Sequence, residues 1–214
     1  MTNLSPTPRS TPGRNRDRAR TGRAELRAIL GEALVGHLAV QVDGAPRVLP
    51  TGFGRIDDVL YVHGSTGARY IREAAGNEVC FAVTLLDGVV YARSVFHNSA
   101  NFRSAVVHAR GRPVDGDEKW RALHAITEHL APGSWDSART PTARELAATA
   151  VLALDLVEAS VKIRAGGPED DESDLDNGCW AGVLPLEHRW GQPQPCPQLP
   201  SGIPVPEAAR NRIA

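Results

Sequence analysis

Apolar residues recur at two periods along this chain, and the change of period divides it into segments. Leu26, Ile29, Leu30, Ala33 and Leu34 fall at i, i+3, i+4, i+7 and i+8, which is one face of a helix, and Gly36 stands where it can end. From residue 37 to 113 the pattern shortens to strands over 38–42, 48–53, 59–62, 79–86, 89–95 and 105–109. Asp43-Gly44 and Asp87-Gly88 read as hairpin turns, because both residue types tolerate positive φ, and Asp57-Asp58 reads as another turn. Residues 68–75 predict a short helix stopped by Gly76. Asp115 and Glu118 have capping-box spacing ahead of a helix whose apolar face is Trp120, Leu123, Thr127 and Leu130. Thr140-Pro141 suits the start of a second, shorter helix. The alternation around Leu152, Leu154, Leu156 and Ile163 predicts one long strand over 151–163. Short strands joined by tight turns make the fold class mostly β, an antiparallel barrel with flanking helices.

Three regions follow from this pattern. Residues 1–21 hold Pro6, Pro8, Pro12 and five arginines without apolar periodicity, and are expected as a flexible basic arm. Residues 22–192 form the folded domain, and 193–214 a proline-rich tail extended along a surface. Within the domain, 169–176 sets six carboxylates in eight positions, most simply a solvated loop.

Composition narrows the function. The 214 residues, 42% of them apolar, suffice for one compact domain with a real core. The 24 basic and 25 acidic residues leave a net charge of −1, which argues against a nucleic-acid partner. Twenty-two of the basic residues are arginine and only Lys119 and Lys162 are lysine, a coding bias that weakens inferences from arginine alone. No apolar run approaches the roughly 18 residues of a membrane span, and the arginine-rich start is unlike a signal peptide. A cytoplasmic protein without membrane contact is expected. Cys80, Cys179 and Cys196 lack paired spacing and fit reduced thiols rather than a disulfide or zinc framework. No metal site is expected, since the seven histidines show no ligand spacing.

The candidate chemistry lies where the strand ending at His63 meets the helix beginning near Arg69. Free backbone N–H groups, the Ser65 and Thr66 hydroxyls and the Arg69 guanidinium would converge there on an anion, suited to a phosphate. An ordinary helix cap beside a surface arginine is the plainer alternative. His97 stands apart from the other histidines, because residues 93–99 leave a strand for a polar loop that is able to face a substrate or a haem.

The order of these segments resembles a known family. A strand containing Pro50, Phe53-Gly54, Leu60-Tyr61-Val62-His63-Gly64 with small residues and Arg69 after it, and Val79-Cys80-Phe81 are similar to the FMN-binding split barrel. The resemblance is to its pyridoxamine 5′-phosphate oxidase-like branch that includes nitroimidazole-resistance proteins. Two further stretches match, residues 101–107 and 179–185. The resemblance implies that Pro50, Thr51, Gly52 and Phe53 lie along the isoalloxazine ring of FMN, and that Ser65, Thr66 and Arg69 hold its phosphate. It also implies that Arg103 and Ser104 approach the flavin, across a homodimer interface that carries the cofactor, and that Trp180 closes the site. Residues 180–185 lack the arginine of the oxidases' C-terminal signature, so the family label is not read as oxidase activity.

The expected function is that of an FMN-dependent oxidoreductase passing electrons from a reduced nicotinamide donor to a small organic acceptor. The alternatives are a haem-binding or haem-degrading split barrel, with His97 as a candidate ligand, and a deazaflavin-dependent reductase. A regulator whose arginine arm touches nucleic acid is a third class, and wrapping a dimer partner is the simpler use of that arm.

Overall fold

The structure, a computed structural model, describes residues 3–213 apart from 5, 6 and 12. Pro6 and Pro12 of the expected arm therefore lie outside the described residues. In chain order the elements are β1 (Ala19–Arg20), α1 (Arg23–Glu32), β2 (Val35–Val42), β3 (Ala45–Ile56), β4 (Val59–Ser65), α2 (Arg69–Ala74), β5 (Glu78–Tyr91) and β6 (Ser99–Arg110). They continue as β7 (Arg112–Val114), α3 (Gly116–Leu130), α4 (Ser134–Ser137), α5 (Ala143–Ala148), β8 (Thr149–Asp155), β9 (Glu158–Arg164), β10 (Gly182–Pro185) and α6 (Glu207–Arg210).

The strands run in the order β1-β9-β6-β5-β2-β3-β4-β8-β7, with β10 added to the far end of β5. Every named pairing is antiparallel. β3 joins two half-sheets: Ala45 to Gly52 pair with β2, and Phe53 to Ile56 pair with β4. The interior is filled by alternate strand residues, among them Leu38, Val40, Phe53, Leu60, Val62, Phe81, Val107 and Leu154, and by Leu26, Ile29 and Leu30 of α1. Each such side chain stabilises the fold by about 1.5–3 kcal/mol through burial. The barrel with flanking helices is thus the fold that the period-2 pattern predicts. The Asp43-Gly44 hairpin also forms as expected, with φ of 55° and 73°. No helix among the described residues is long and apolar enough to cross a membrane.

Other expectations need correction. Gly36 does not end α1 but lies inside β2, and its missing side chain makes room for the Phe81 ring. Asp87-Gly88 is not a hairpin: β5 runs through it with a bulge between Leu86 and Gly88, and β10 passes so close that a Cβ on Gly88 would meet the Leu184 carbonyl at 2.8 Å. The single strand expected over 151–163 is two, because the Leu156 N–H bonds to Asp58 O at 2.9 Å and the chain then crosses to the other half-sheet as β9. Asp115 flanks α3 without a side-chain cap, since Glu118 is held instead by Arg112 (2.7 and 2.9 Å) and the Tyr61 hydroxyl (3.0 Å). The second capping site is Thr142, not Thr140, in a reciprocal box with Glu145.

The face of α3 also differs from its apolar stripe. Ala122 and Ile126 are the residues buried against Tyr61, Val151 and Ala153. This contact needs Gly54, whose Cβ would lie 2.4 Å from the Ile126 nitrogen.

Both chain ends are docked where the structure describes them. Leu4 belongs to the barrel core, β1 pairs with β9, and Arg9 bonds Glu158 through Nε (2.8 Å) and Nη2 (2.6 Å). In the tail, the Arg212 guanidinium donates to Leu130 O at 2.8 Å and lies 4.6 Å from the Trp190 ring centre.

Candidate functional site

The split between the half-sheets arises where β3 changes partner. Among the described residues, Ala45 to Gly52 pair only with β2, so the second edge of this stretch carries unpaired backbone groups. Pro46 and Pro50 are compatible with such an edge, where a missing N–H breaks no ladder bond. Across the split, β4 continues with β8 as far as Ser65 opposite Thr149. Pro50, Thr51 and Gly52 thus face the same gap as the turn that leaves β4. Phe53 stands at the closed end of the gap, where its backbone pairs with Val62 and its ring is buried, 5.1 Å from Phe81 and 4.7 Å from His129.

The turn after β4 departs from the expected cradle of free N–H groups. Thr66 N–H bonds Ala148 O (3.0 Å) and Ala68 N–H bonds Ser65 O (2.9 Å). Gly67 N–H donates to Ser65 Oγ at 3.2 Å. The α5–β8 junction running beside the turn takes the Thr66 amide, and Ser65 takes the other two from within the turn. The Ser65 and Thr66 hydroxyls and Arg69 remain. Thr66 Oγ1 leans on Ala148 O (3.3 Å), and Arg69 is exposed, paired with Asp43 and 3.8 Å from Glu73.

His63, two residues before Ser65, is not singled out by the sequence pattern. It opens into a cavity of about 310 Å³ lined also by Leu123, Thr127, Trp135, Arg139 and Glu145. Desolvation by the surrounding protein lowers the pKa of its imidazole and favours the neutral ring. Arg139 grips Glu145 in a fork of 2.7 and 3.0 Å. That fork, together with the Thr142 cap, holds the Glu145 carboxyl down at about 2. The apolar stripe read on α3 finds its purpose here: Leu123 and Thr127 wall the cavity, and Trp120 and His124 each stack edgewise on Trp135, both at 5.2 Å. The legible signal was the position of His63 at the strand end just before Gly-Ser-Thr.

The remaining expected residues lie elsewhere in the protomer. Arg103 and Ser104 are on β6, separated from β3 by β5 and β2, so roughly 14 Å away at strand spacing. Arg103 is engaged by Glu32 and by Asp87 (2.7–3.2 Å), and Ser104 Oγ donates to Lys162 O at 3.3 Å. Trp180 packs on Tyr91, with ring centres 5.7 Å apart, at the far end of β5. His97 bonds Asp171 at 3.2 Å, and with Asp174 these residues bring ligand atoms within 4.8 Å of one another. The acidic stretch is therefore only partly solvated: Asp170 is inward, accepting from the Arg93 N–H (2.7 Å) and guanidinium (2.8 Å).

Comparison with known proteins identifies this arrangement. Residues 22–163 match the family model described as pyridoxamine 5′-phosphate oxidase. The chain belongs to that family. The flavocytochrome Anf3 of Azotobacter vinelandii is 35% identical, with a TM-score of 0.92, over 99% of this chain and 100% of that one. The FAD and haem binding protein of Mycobacterium smegmatis is 38% identical, with a TM-score of 0.88, over 92% of this chain and 97% of that one. A 5-nitroimidazole antibiotic resistance protein from Bacteroides thetaiotaomicron shares the fold at 20% identity and a TM-score of 0.59, over 68% of this chain and 86% of that one. No curated protein matches the chain.

Proposed function

We propose that the protein is a flavin-dependent oxidoreductase that binds a flavin nucleotide in the split between β3 and β4. The observation that carries this reading is the unpaired edge of β3 at Pro50, Thr51 and Gly52, facing the Ser65, Thr66 and Arg69 turn. Backbone donors and acceptors on a strand edge suit the polar rim of an isoalloxazine, and two hydroxyls with a guanidinium suit a phosphate. The donor set fits FMN, and Arg69 would exchange its exposed contact with Asp43 for the phosphate. His63 stands beside this gap as a neutral donor or acceptor toward a small substrate in the adjoining cavity. When bound, the flavin supplies hydride and single-electron chemistry, passing electrons from a reduced nicotinamide donor to a small organic acceptor. The residues of this chain bind and orient.

A second copy of the chain completes this reading. The outward positions of β3, β2, β5 and β6 include Val48, 64% exposed, Ala39, Ala82 and Val106, with His37 beside Ala82 and His108 beside Cys80, a sheet face of mostly small and apolar residues with two histidines. A homodimer through that face would bring the partner's β6 toward the flavin, the role expected of Ser104, whereas Arg103 lies on the opposite face of β6 with Glu32 and Asp87.

A haem as a second prosthetic group is favoured by the two near-full-length relatives, one named a flavocytochrome and the other FAD and haem binding.

Titration of purified protein with FMN, FAD and a deazaflavin, followed by visible absorbance and flavin fluorescence, tests the first reading. FMN or FAD should bind with resolved visible bands and bleach under NADH or NADPH. Arg69→Gln should weaken binding roughly 10- to 100-fold, the loss of one charge-assisted contact. Failure to take up either flavin, or full affinity in the Arg69 variant, would sink it.

A further inference from the structure

We propose that His97, Asp171 and Asp174 form a binding site for a divalent transition cation of the zinc class. The site shares no residue with the flavin gap and does not rest on the flavin reading. It is built by two loops: residues 93–98 join β5 to β6, and residues 165–181 join β9 to β10. His97 Nε2 lies 3.2 Å from Asp171 Oδ2, and the ligand atoms of all three side chains fall within 4.8 Å of one another. Ligand atoms about 2.0–2.2 Å from a tetrahedral zinc lie roughly 3.3 Å apart. The imidazole and the first carboxylate therefore already have coordination spacing, and the second carboxylate lacks it by no more than about 1.5 Å.

Local structure presents the three side chains to one point. Asp171 precedes and Asp174 ends a 3-10 turn, Glu172–Asp174. Positions three apart eclipse in such a turn, so the two carboxylates project from the same side. His97 ends a second 3-10 turn, Val95–His97, and its ring lies edgewise on Phe96 at 5.1 Å. The two turns are clipped together by groups that would support the ligands from behind. Asp170, its side chain only 2% exposed, accepts from the Arg93 N–H (2.7 Å) and guanidinium (2.8 Å). Asn177 Nδ2 donates to Arg93 O at 3.1 Å.

The charge balance calls for a cation. Of the six carboxylates over 169–176, Glu169 faces Arg18 (3.3 Å) and Arg164 (3.9 Å), and Asp170 is paired with Arg93. Among the described residues Asp171 has only the His97 imidazole as an ionic partner, and Asp174 has no ion pair or side-chain hydrogen bond. Two carboxylates held this close repel each other unless a positive charge lies between them, and no arginine or lysine supplies one. An ordinary His97–Asp171 ion pair would leave Asp174 without a role, whereas a metal ion takes all three groups. Glu172 and Asp176 stand outside the set. One imidazole nitrogen with two carboxylates suits zinc, which leaves a fourth position to water, while magnesium and calcium prefer oxygen ligands alone. Such an ion would hold the 165–181 connection against the end of the β5–β6 hairpin, and so fix the chain that leads to Trp180 and β10.

Full-length protein freed of metal is titrated with Zn²⁺ in competition with a chromophoric chelator, beside His97→Ala, Asp174→Ala and Cys179→Ser. Wild type should take up a single ion that excess Mg²⁺ does not displace. His97→Ala and Asp174→Ala should each weaken binding about tenfold or more, and Cys179→Ser should bind as wild type. Hydrogen exchange supplies a second readout. Zn²⁺ should slow exchange of the Asp174, Leu175 and Asn177 amides, which bond Asp171 O, Glu172 O and Asp174 O, in wild type but not in Asp174→Ala. Circular dichroism checks that the variants are folded. Absence of zinc uptake by wild type overturns the site. Unchanged affinity in Asp174→Ala reduces the cluster to a His97–Asp171 ion pair and overturns it too. Ready displacement by Mg²⁺, or loss of binding in Cys179→Ser, would likewise overturn this ligand set.

Discussion

At Gly36 a single missing methyl decides how the sheet closes. A Cβ there would lie 2.0 Å from the tip of the Phe81 ring, and that ring in turn meets Phe53 edge to face. Gly36→Ala is expected to push Phe81 off its rotamer and destabilise the protein by about 1–3 kcal/mol, the usual cost of overpacking. Urea unfolding measures it, and an unchanged midpoint would show that the ring yields freely. Gly54 makes the matching contact with α3, backbone against backbone. Neither role was legible in the sequence, where Gly36 looked like a helix stop and Gly54 like part of a strand motif. A glycine announces a turn and a close approach with the same letter. The same limit applied to His63: its position beside Ser65 was visible, but its cavity is walled by residues of α3 and α5, some 60 to 90 positions away.

Among the elements, the N-terminal arm shows what a periodicity argument misses. Residues 3–21 have no repeating apolar pattern, yet Leu4 is 5% exposed and its N–H bonds Thr21 O at 2.7 Å. The anchor is ionic. Arg9, helped by the Thr7 hydroxyl, holds the Glu158 carboxyl at about 2, against an ordinary 4.5. A depressed folded pKa means that this contact stabilises docking fully above the ordinary value and is lost as pH falls through about 4.5 to 2. Hydrogen exchange should therefore show protection of the Leu4 amide fading over that window, while β4 and β8 stay protected. Arg9→Ala should expose the same amide at neutral pH. Protection that persists to pH 2 would assign the docking to Leu4 and β1 alone. The apolar run over 151–163 teaches a related point. Alternation continues through Leu156, so the sequence contains no sign that the chain leaves one half-sheet for the other there.

For the whole molecule, the sheet face built by β3, β2, β5 and β6 carries the proposal that two copies share the flavin. Ala82 stands opposite His37 on β2 and Val106 on β6, near the middle of that face. Ala82→Arg is expected to reduce a particle of twice the 22.9 kDa chain mass to a single chain by light scattering, and to weaken flavin binding with it. The charge would be buried unpaired at an interface, which few contacts can compensate. Wild-type protein that runs as a single chain and still binds flavin would remove the second copy from the site.

Resemblance to the family pointed to the two stretches, 50–53 and 65–69, from which the candidate site was built; by itself the sequence determined the strand-rich class, the Asp43-Gly44 hairpin and the helices α1, α2 and α3. These are set within about ten residues, by a burial period or by turn chemistry. Only the tertiary structure decided that β3 changes partner at Gly52 and leaves an edge open, and that the turn amides are already taken, Thr66 N–H by Ala148 and those of Gly67 and Ala68 by Ser65. It alone brought His63 under Trp135, sent Arg103 to Glu32 and Asp87, and set His97 beside Asp171 and Asp174. The physical reason is the same in each case: such contacts join surfaces far apart in the chain, and which surfaces meet depends on the packing of all the others.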